Sequence, residues 1–168
     1  SNGEELGKEL AYWERIPQAF PLPVSRQGEN SVASRRHYRV ELDPEQTRAL
    51  LEDTPRAYNT RINDVLLTAL AKSLRGWTGR SEVLIDLEGH GRADLFEDMD
   101  LSRTVGWFTT VFPVHLRLPE TEDPGELIKS IKEQLRAIPA EGIGYGLLRY
   151  LRGEQLQSTS PVVFNYLG

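Results

Sequence analysis

Asp86, Glu88 and His90 occupy alternate positions of the stretch VLIDLEGHGRADLF, residues 83–96. If the stretch is a strand, these three share one face while Val83, Ile85 and Leu87 share the other. Two carboxylates and an imidazole in a row leave three readings open: proton transfer, ligation of a divalent metal, or a solvated, hydrogen-bonded sheet face. Metal ligation is the weakest, because same-face side chains lie about 6.5–7 Å apart along a strand and rarely converge on one ion. Gly89 and Gly91 follow, where glycine suits a turn or a close backbone approach.

A second glycine cluster, GIGYG at residues 142–146, invites comparison with phosphate-cradling loops. Its setting argues against that, since a helix and Pro139 precede it, not a strand, and no Gly-Lys-Ser/Thr follows. It reads as a turn leading into LLRYLRG. Neither a serine elbow nor a paired-histidine zinc motif occurs, and the absence of cysteine removes disulfides and thiolate chemistry. Tyr166, close to the end of an apolar run, is either a core tyrosine with a bonded hydroxyl or a participant in catalysis.

These residues need elements to hold them. ELGKELAYWERI reads as a helix with Leu6, Leu10 and Trp13 on one side, stopped by Pro17. PQAFPLPVSRQGENS, with three prolines, reads as an extended linker, and SRRHYRVEL as a strand. Two segments open with one grammar: Asp43, Pro44 and Gln46, then Asp123, Pro124 and Glu126, each predicting a capped helix start. The second helix carries Leu127, Ile128, Ile131, Leu135 and Ile138 at helical spacing. Between them, Ile62, Val65, Leu66, Ala69, Leu70 and Leu74 predict the strongest helix, ended by Gly76 and Gly79. EVLIDLEG, TVGWFTTVFPVHLRL (with Phe108, Phe112, Val114 and Leu116 on one face) and PVVFNYL complete the strands. Too few residues separate the first two for a helical crossover, so the expectation is an α/β, two-layer sandwich with a mixed β-sheet, not a doubly wound nucleotide fold.

At 168 residues, 39% hydrophobic and 27% charged, the chain fits one soluble domain, and no apolar run reaches the ~20 residues of a membrane span. A net charge of −5 argues against a nucleic-acid partner; Arg35-Arg36-His37 is too short to reverse that. Ser1-Asn2 reads as a remnant of cloning, and without a basic-then-apolar start the expected location is the cytoplasm.

Five stretches in order, NDVLLTAL (63–70), EGHGR (88–92), SRTVGWFTTVFPV (102–114), IPAEGIGYG (138–146) and FNYLG (164–168), resemble the C-terminal half of the epimerization domain of nonribosomal peptide synthetases. YWERIP with its proline linker resembles that family's passage between lobes. The resemblance implies one lobe of a chloramphenicol acetyltransferase-like fold, with residues 1–34 as lobe-linking helix and linker and 35–168 as the C-terminal lobe. The family's HHxxxDG motif belongs to the other lobe; His37, His90 and His115 do not form it.

The implied activity is L-to-D inversion at the α-carbon of an aminoacyl or peptidyl thioester. No cofactor is bound directly, because the substrate arrives on the phosphopantetheine arm of a peptidyl carrier protein. The implied partners are that carrier and the N-terminal lobe, without which the chain is expected to be inactive. The resemblance makes Glu88 and Tyr166 the catalytic candidates, with His90, Arg92, Arg103, Thr104, Trp107 and Asn165 supporting them or lining a tunnel; Trp107 is expected mainly to pack. The family's second glutamate is replaced by Ala93, leaving Asp94 or Glu97 to take any such role. A peptide-bond-forming condensation lobe and a non-catalytic carrier-docking module are the competing readings.

Overall fold

The computed structural model describes residues 2–19, 21–23, 28, 29, 31–91, 103–156 and 160–167, with side chains from residue 7 onward. The centre of the fold is β1 (Glu82–Gly89), flanked by β2 (Thr110–Arg117) antiparallel and β3 (Val163–Phe164) parallel, a mixed sheet in the order β2-β1-β3. The register sets Val83 against Leu116, Ile85 against Val114 and Leu87 against Phe112, so one face carries a continuous apolar layer. Leu84, on the opposite face, is also buried, and the row that alternation marks as polar is only partly so.

Helices surround this sheet. α1 (Asn2–Trp13) delivers Trp13 into the core, where its ring meets Phe112 edge-on at 6.1 Å and Tyr145 at 5.2 Å. α2 (Pro44–Arg48) begins as its sequence predicts: the Asp43 carboxylate accepts from the Gln46 backbone N–H at 2.8 Å, and Gln46 Oε1 accepts from the Asp43 N–H at 3.1 Å. A π-helical turn (Ala49–Asp53) carries the chain into α3 (Thr54–Tyr58), which ends on Asn59 in the left-handed conformation. α5 (Pro124–Arg136) has the Asp123 cap, but the return bond differs from expectation: the Asp123 N–H donates to Thr121 Oγ1, not to Glu126.

α4 (Ile62–Thr78) is the longest helix and shows a different buried face from the one predicted. Leu67, Thr68, Ala71 and Leu74 are buried with Asp64, while Ala69 is exposed and Val65 and Leu66 are half-buried. The helix runs through Gly76 and stops at Gly79, whose φ of 69° makes the left-handed cap. Arg75 fixes its far end, donating to Pro119 O at 3.0 Å, Thr121 O at 3.2 Å and Glu122 Oε1 at 2.5 Å.

Residues 35–43 form no strand: they are exposed and carry no regular structure, because no sheet edge among the described residues reaches them. The GIGYG stretch lies across a 3-10 turn (Pro139–Gly142) and α6 (Ile143–Gly146), followed by a π-helical turn (Leu147–Leu151). Ala140, Glu141 and Gly142 all have positive φ, and at Gly142 a side chain would collide with the Phe112 ring. It is a packing turn, as the local pattern implied. Among the described residues, no helix is long and apolar enough to cross a membrane.

Candidate functional site

The row Asp86-Glu88-His90 divides among three environments because β1 ends inside it. Asp86 is half-buried in mid-strand, and desolvation raises its carboxyl pKa, with nearby Arg149 opposing. Glu88, half-buried, lines a cavity of about 500 Å3 at the strand's end, and His90, exposed, stands at its lip. No three His, Cys, Asp or Glu side chains among the described residues are grouped to hold a metal. Past Gly89 the chain turns at Gly91, with φ of 64°, where a Cβ would strike the Phe108 carbonyl. Gly89 therefore lets β2 approach, and Gly91 lets the chain at Phe108, just ahead of β2, do so.

Tyr166 reaches the same cavity from the opposite end of the sequence. Parallel pairing sets Val163 beside Asp86 and Phe164 beside Leu87; two more residues bring Tyr166 level with Gly89. Ser160 fixes this approach, its hydroxyl bonding Leu84 O at 2.8 Å and Val162 O at 2.7 Å, while the Asp86 N–H donates to Val162 O.

The N-terminus of α4 supplies the facing wall. Asp64 accepts from the Arg61 N–H at 2.7 Å and is itself buried, which sets Arg61, Asn63 and Leu67 along the cavity. α5 holds that corner in place: Lys132 donates to Tyr58 O at 3.2 Å and Arg136 to Asn59 O at 2.9 Å. At the rim, Arg61 and Glu141 pair at 3.6 Å, both largely exposed. Asn63 Oδ1 is buried with no hydrogen-bond partner, an orphan acceptor in the wall of the cavity. The sequence presents Asn63 only as part of a helical stretch; a polar side chain in the first turn of so apolar a helix is the signal that could have found it.

The remaining candidates do not converge. Arg103, Thr104 and Asn165 are exposed and do not line the cavity, and Trp107 is 89% exposed instead of packed, no other described element lying over its ring. Arg92 lies outside the described residues, as do Ala93, Asp94 and Glu97. The assembled site thus offers a carboxylate, a phenol and an amide around one concavity with cationic groups at its edge. That set suits proton transfer at a carbon acid and hydrogen bonding to a carbonyl.

Comparison with protein families matches residues 1–167 to the condensation domain. The chain belongs to the condensation-domain family. Relatives of this condensation-family chain include a linear gramicidin synthase of Brevibacillus parabrevis, 47% identical across 100% of this chain and 2% of that protein. Bacitracin synthase 2 of Bacillus licheniformis is 44% identical across 100% of this chain and 7% of its own length. The chain therefore spans only a small fraction of these relatives. Among solved structures, the epimerization domain from the third module of tyrocidine synthetase B matches with TM-score 0.81 and 40% identity, over 97% of this chain and 37% of that one. The first condensation domain of the calcium-dependent antibiotic synthetase matches with TM-score 0.69 at 20% identity, over 98% of this chain and 36% of that one, and so shares the fold.

Proposed function

We propose that this chain is the C-terminal lobe of an epimerization domain, inverting the α-carbon of an aminoacyl or peptidyl thioester carried on phosphopantetheine. The observation that carries the reading is the meeting of Glu88 and Tyr166 at one cavity formed by the ends of β1 and β3. The 40% identity to a solved epimerization domain, against 20% for a condensation domain, supports it.

Inversion breaks the α-C–H bond on one face and re-forms it on the other, leaving the substrate unoxidised. A base takes the proton, the electron pair spreads into the thioester carbonyl, and an acid returns a proton from the opposite side. Glu88 serves as one of these groups; a histidine of the N-terminal lobe serves as the other. The Tyr166 hydroxyl lies where it can donate to the substrate carbonyl, and the unpaired Asn63 Oδ1 where it can accept from an N–H of the substrate or its arm. Such positioned proton transfer contributes about 10²–10⁴-fold. The partners in this reading are the N-terminal lobe and a cytoplasmic peptidyl carrier protein.

The test uses the complete domain and a carrier loaded with an α-deuterated aminoacyl thioester, with deuterium loss followed by mass spectrometry. Glu88→Gln is expected to slow washout at least about 10²-fold. Washout unchanged in that variant overturns the reading. Formation of a peptide bond by a wild-type domain that shows no washout assigns the chain to condensation instead.

A further inference from the structure

Residues 36–42 combine strand grammar with none of a strand's contacts. Tyr38, Val40 and Leu42 alternate with His37, Arg39 and Glu41, the pattern of a segment with one dry and one wet face. Yet Tyr38 is 94% exposed, Val40 90% and Leu42 52%. No backbone hydrogen bond joins any of residues 36–42 to another described residue. Arg39 Nε and Glu41 Oε1 are 2.7 Å apart, an i, i+2 pairing that an extended chain places on one side. The segment is fixed at both ends, by the Val32–Ser34 turn, where the Ser34 hydroxyl bonds Ser31 O at 2.8 Å, and by the Asp43 cap of α2. It is a strap held open between two anchors.

An unpaired run of backbone N–H and C=O groups with an apolar row is an invitation to another strand, and proteins protect such edges with proline, bulges or inward charges. No proline lies within residues 36–42, and the one charge on the side of the apolar row is Arg36, at the segment's first position, ahead of Tyr38, Val40 and Leu42. We infer that this segment is a β-strand completed from outside the chain: it adds, by backbone pairing, to a sheet edge of the N-terminal lobe of the same domain, with Tyr38, Val40 and Leu42 turned into that lobe's core. The inference rests on the reading of this chain as one lobe. The occupant follows from coverage: the chain accounts for 37% of the matched epimerization domain and 36% of the matched condensation domain, so most of each domain lies beyond what is present here. A second copy of this chain is the poorer occupant, because antiparallel self-pairing centred on Arg39 would set that arginine opposite itself.

The experiment is hydrogen exchange on the complete domain, read over residues 36–42. The expected result is exchange slowed at least about 100-fold relative to an unstructured peptide and unchanged on dilution. Arg39→Pro and Val40→Pro, tested separately, should differ: the variant whose lost N–H faces the partner strand loses this protection, and the other keeps most of it. Exchange at the unstructured rate in the wild-type domain overturns the inference, and protection that disappears on dilution overturns it in favour of a second copy. Deuterium washout distinguishes the two readings, since an unprotected segment in a domain that still needs Glu88 refutes the strand and leaves the epimerase.

Discussion

Gly142 and Gly146 lie four residues apart in one short stretch, yet alanine should act on them in opposite directions. Gly142 has φ of 85°, and a Cβ built on it would fall among the carbons of the Phe112 ring. A left-handed conformation costs an L-residue about 1–2 kcal/mol, and forcing a methyl into a packed core costs about 1–3 kcal/mol more. Gly142→Ala should therefore destabilise by about 2–5 kcal/mol, a large share of the ~5–15 kcal/mol typical of a domain. Gly146 has right-handed helical angles, φ −63° and ψ −39°, and nothing within 4 Å of where its Cβ would sit. Alanine there should be neutral or stabilise by up to about 1 kcal/mol. Urea unfolding of the complete domain, followed by tryptophan fluorescence, reads both, and Trp13, whose ring is 6.1 Å from that of Phe112, reports on the affected region. Adding Phe112→Leu to Gly142→Ala should relieve the steric part and leave the backbone part. If the two alanine variants unfold within about 0.5 kcal/mol of each other, the account of this turn is wrong.

Three further perturbations test other links. His115, with its side chain 8% exposed and Nε2 3.2 Å from Glu82, has its pKa lowered by burial, against the opposing pull of Glu82. Below its ordinary value of 6.5 the unfolded chain takes a proton that the folded chain resists, so stability falls as the pH drops through that value. His115→Gln should flatten this dependence between pH 7.5 and pH 5.5, measured as urea midpoints in buffers at about those values. Asp43→Ala removes a reciprocal cap and should cost about 1 kcal/mol, while Asp43→Asn keeps most of it. Arg75→Met should cost about 2–3 kcal/mol and speed amide exchange in residues 118–123, and Arg75→Lys should not restore it, because a point charge cannot serve the Pro119, Thr121 and Glu122 oxygens together.

Features written in neighbouring residues were legible. The Asp43 cap, the Asp123 side-chain cap without its return bond, and the turn at Gly91 each depend on a few adjacent positions and are found, and the short span between β1 and β2 gave their antiparallel pairing. The face of α4 was not legible, because Leu66, Leu67, Leu70 and Ala71 offer two overlapping stripes and only packing against the sheet and α5 chooses between them. Alternation gave the side of β1 on which Glu88 stands, but not the concavity there, which depends on α4 and on parallel pairing with a segment far along the chain. Family resemblance singled out Tyr166, whereas Asn63 became visible only as an unpaired buried oxygen. SRRHYRVEL reads as a strand from its residues, but a strand needs a neighbour, and none is among the described residues.

The parallel pairing of β3 with β1 also bears on how the molecule is made. Among the described residues that line the cavity, Tyr166 leaves the ribosome last, and β1 gains its parallel partner only with Val163 and Phe164. A chain cut short of this segment therefore keeps the antiparallel β1–β2 pair and loses together the parallel partner of β1 and the Tyr166 side of the cavity.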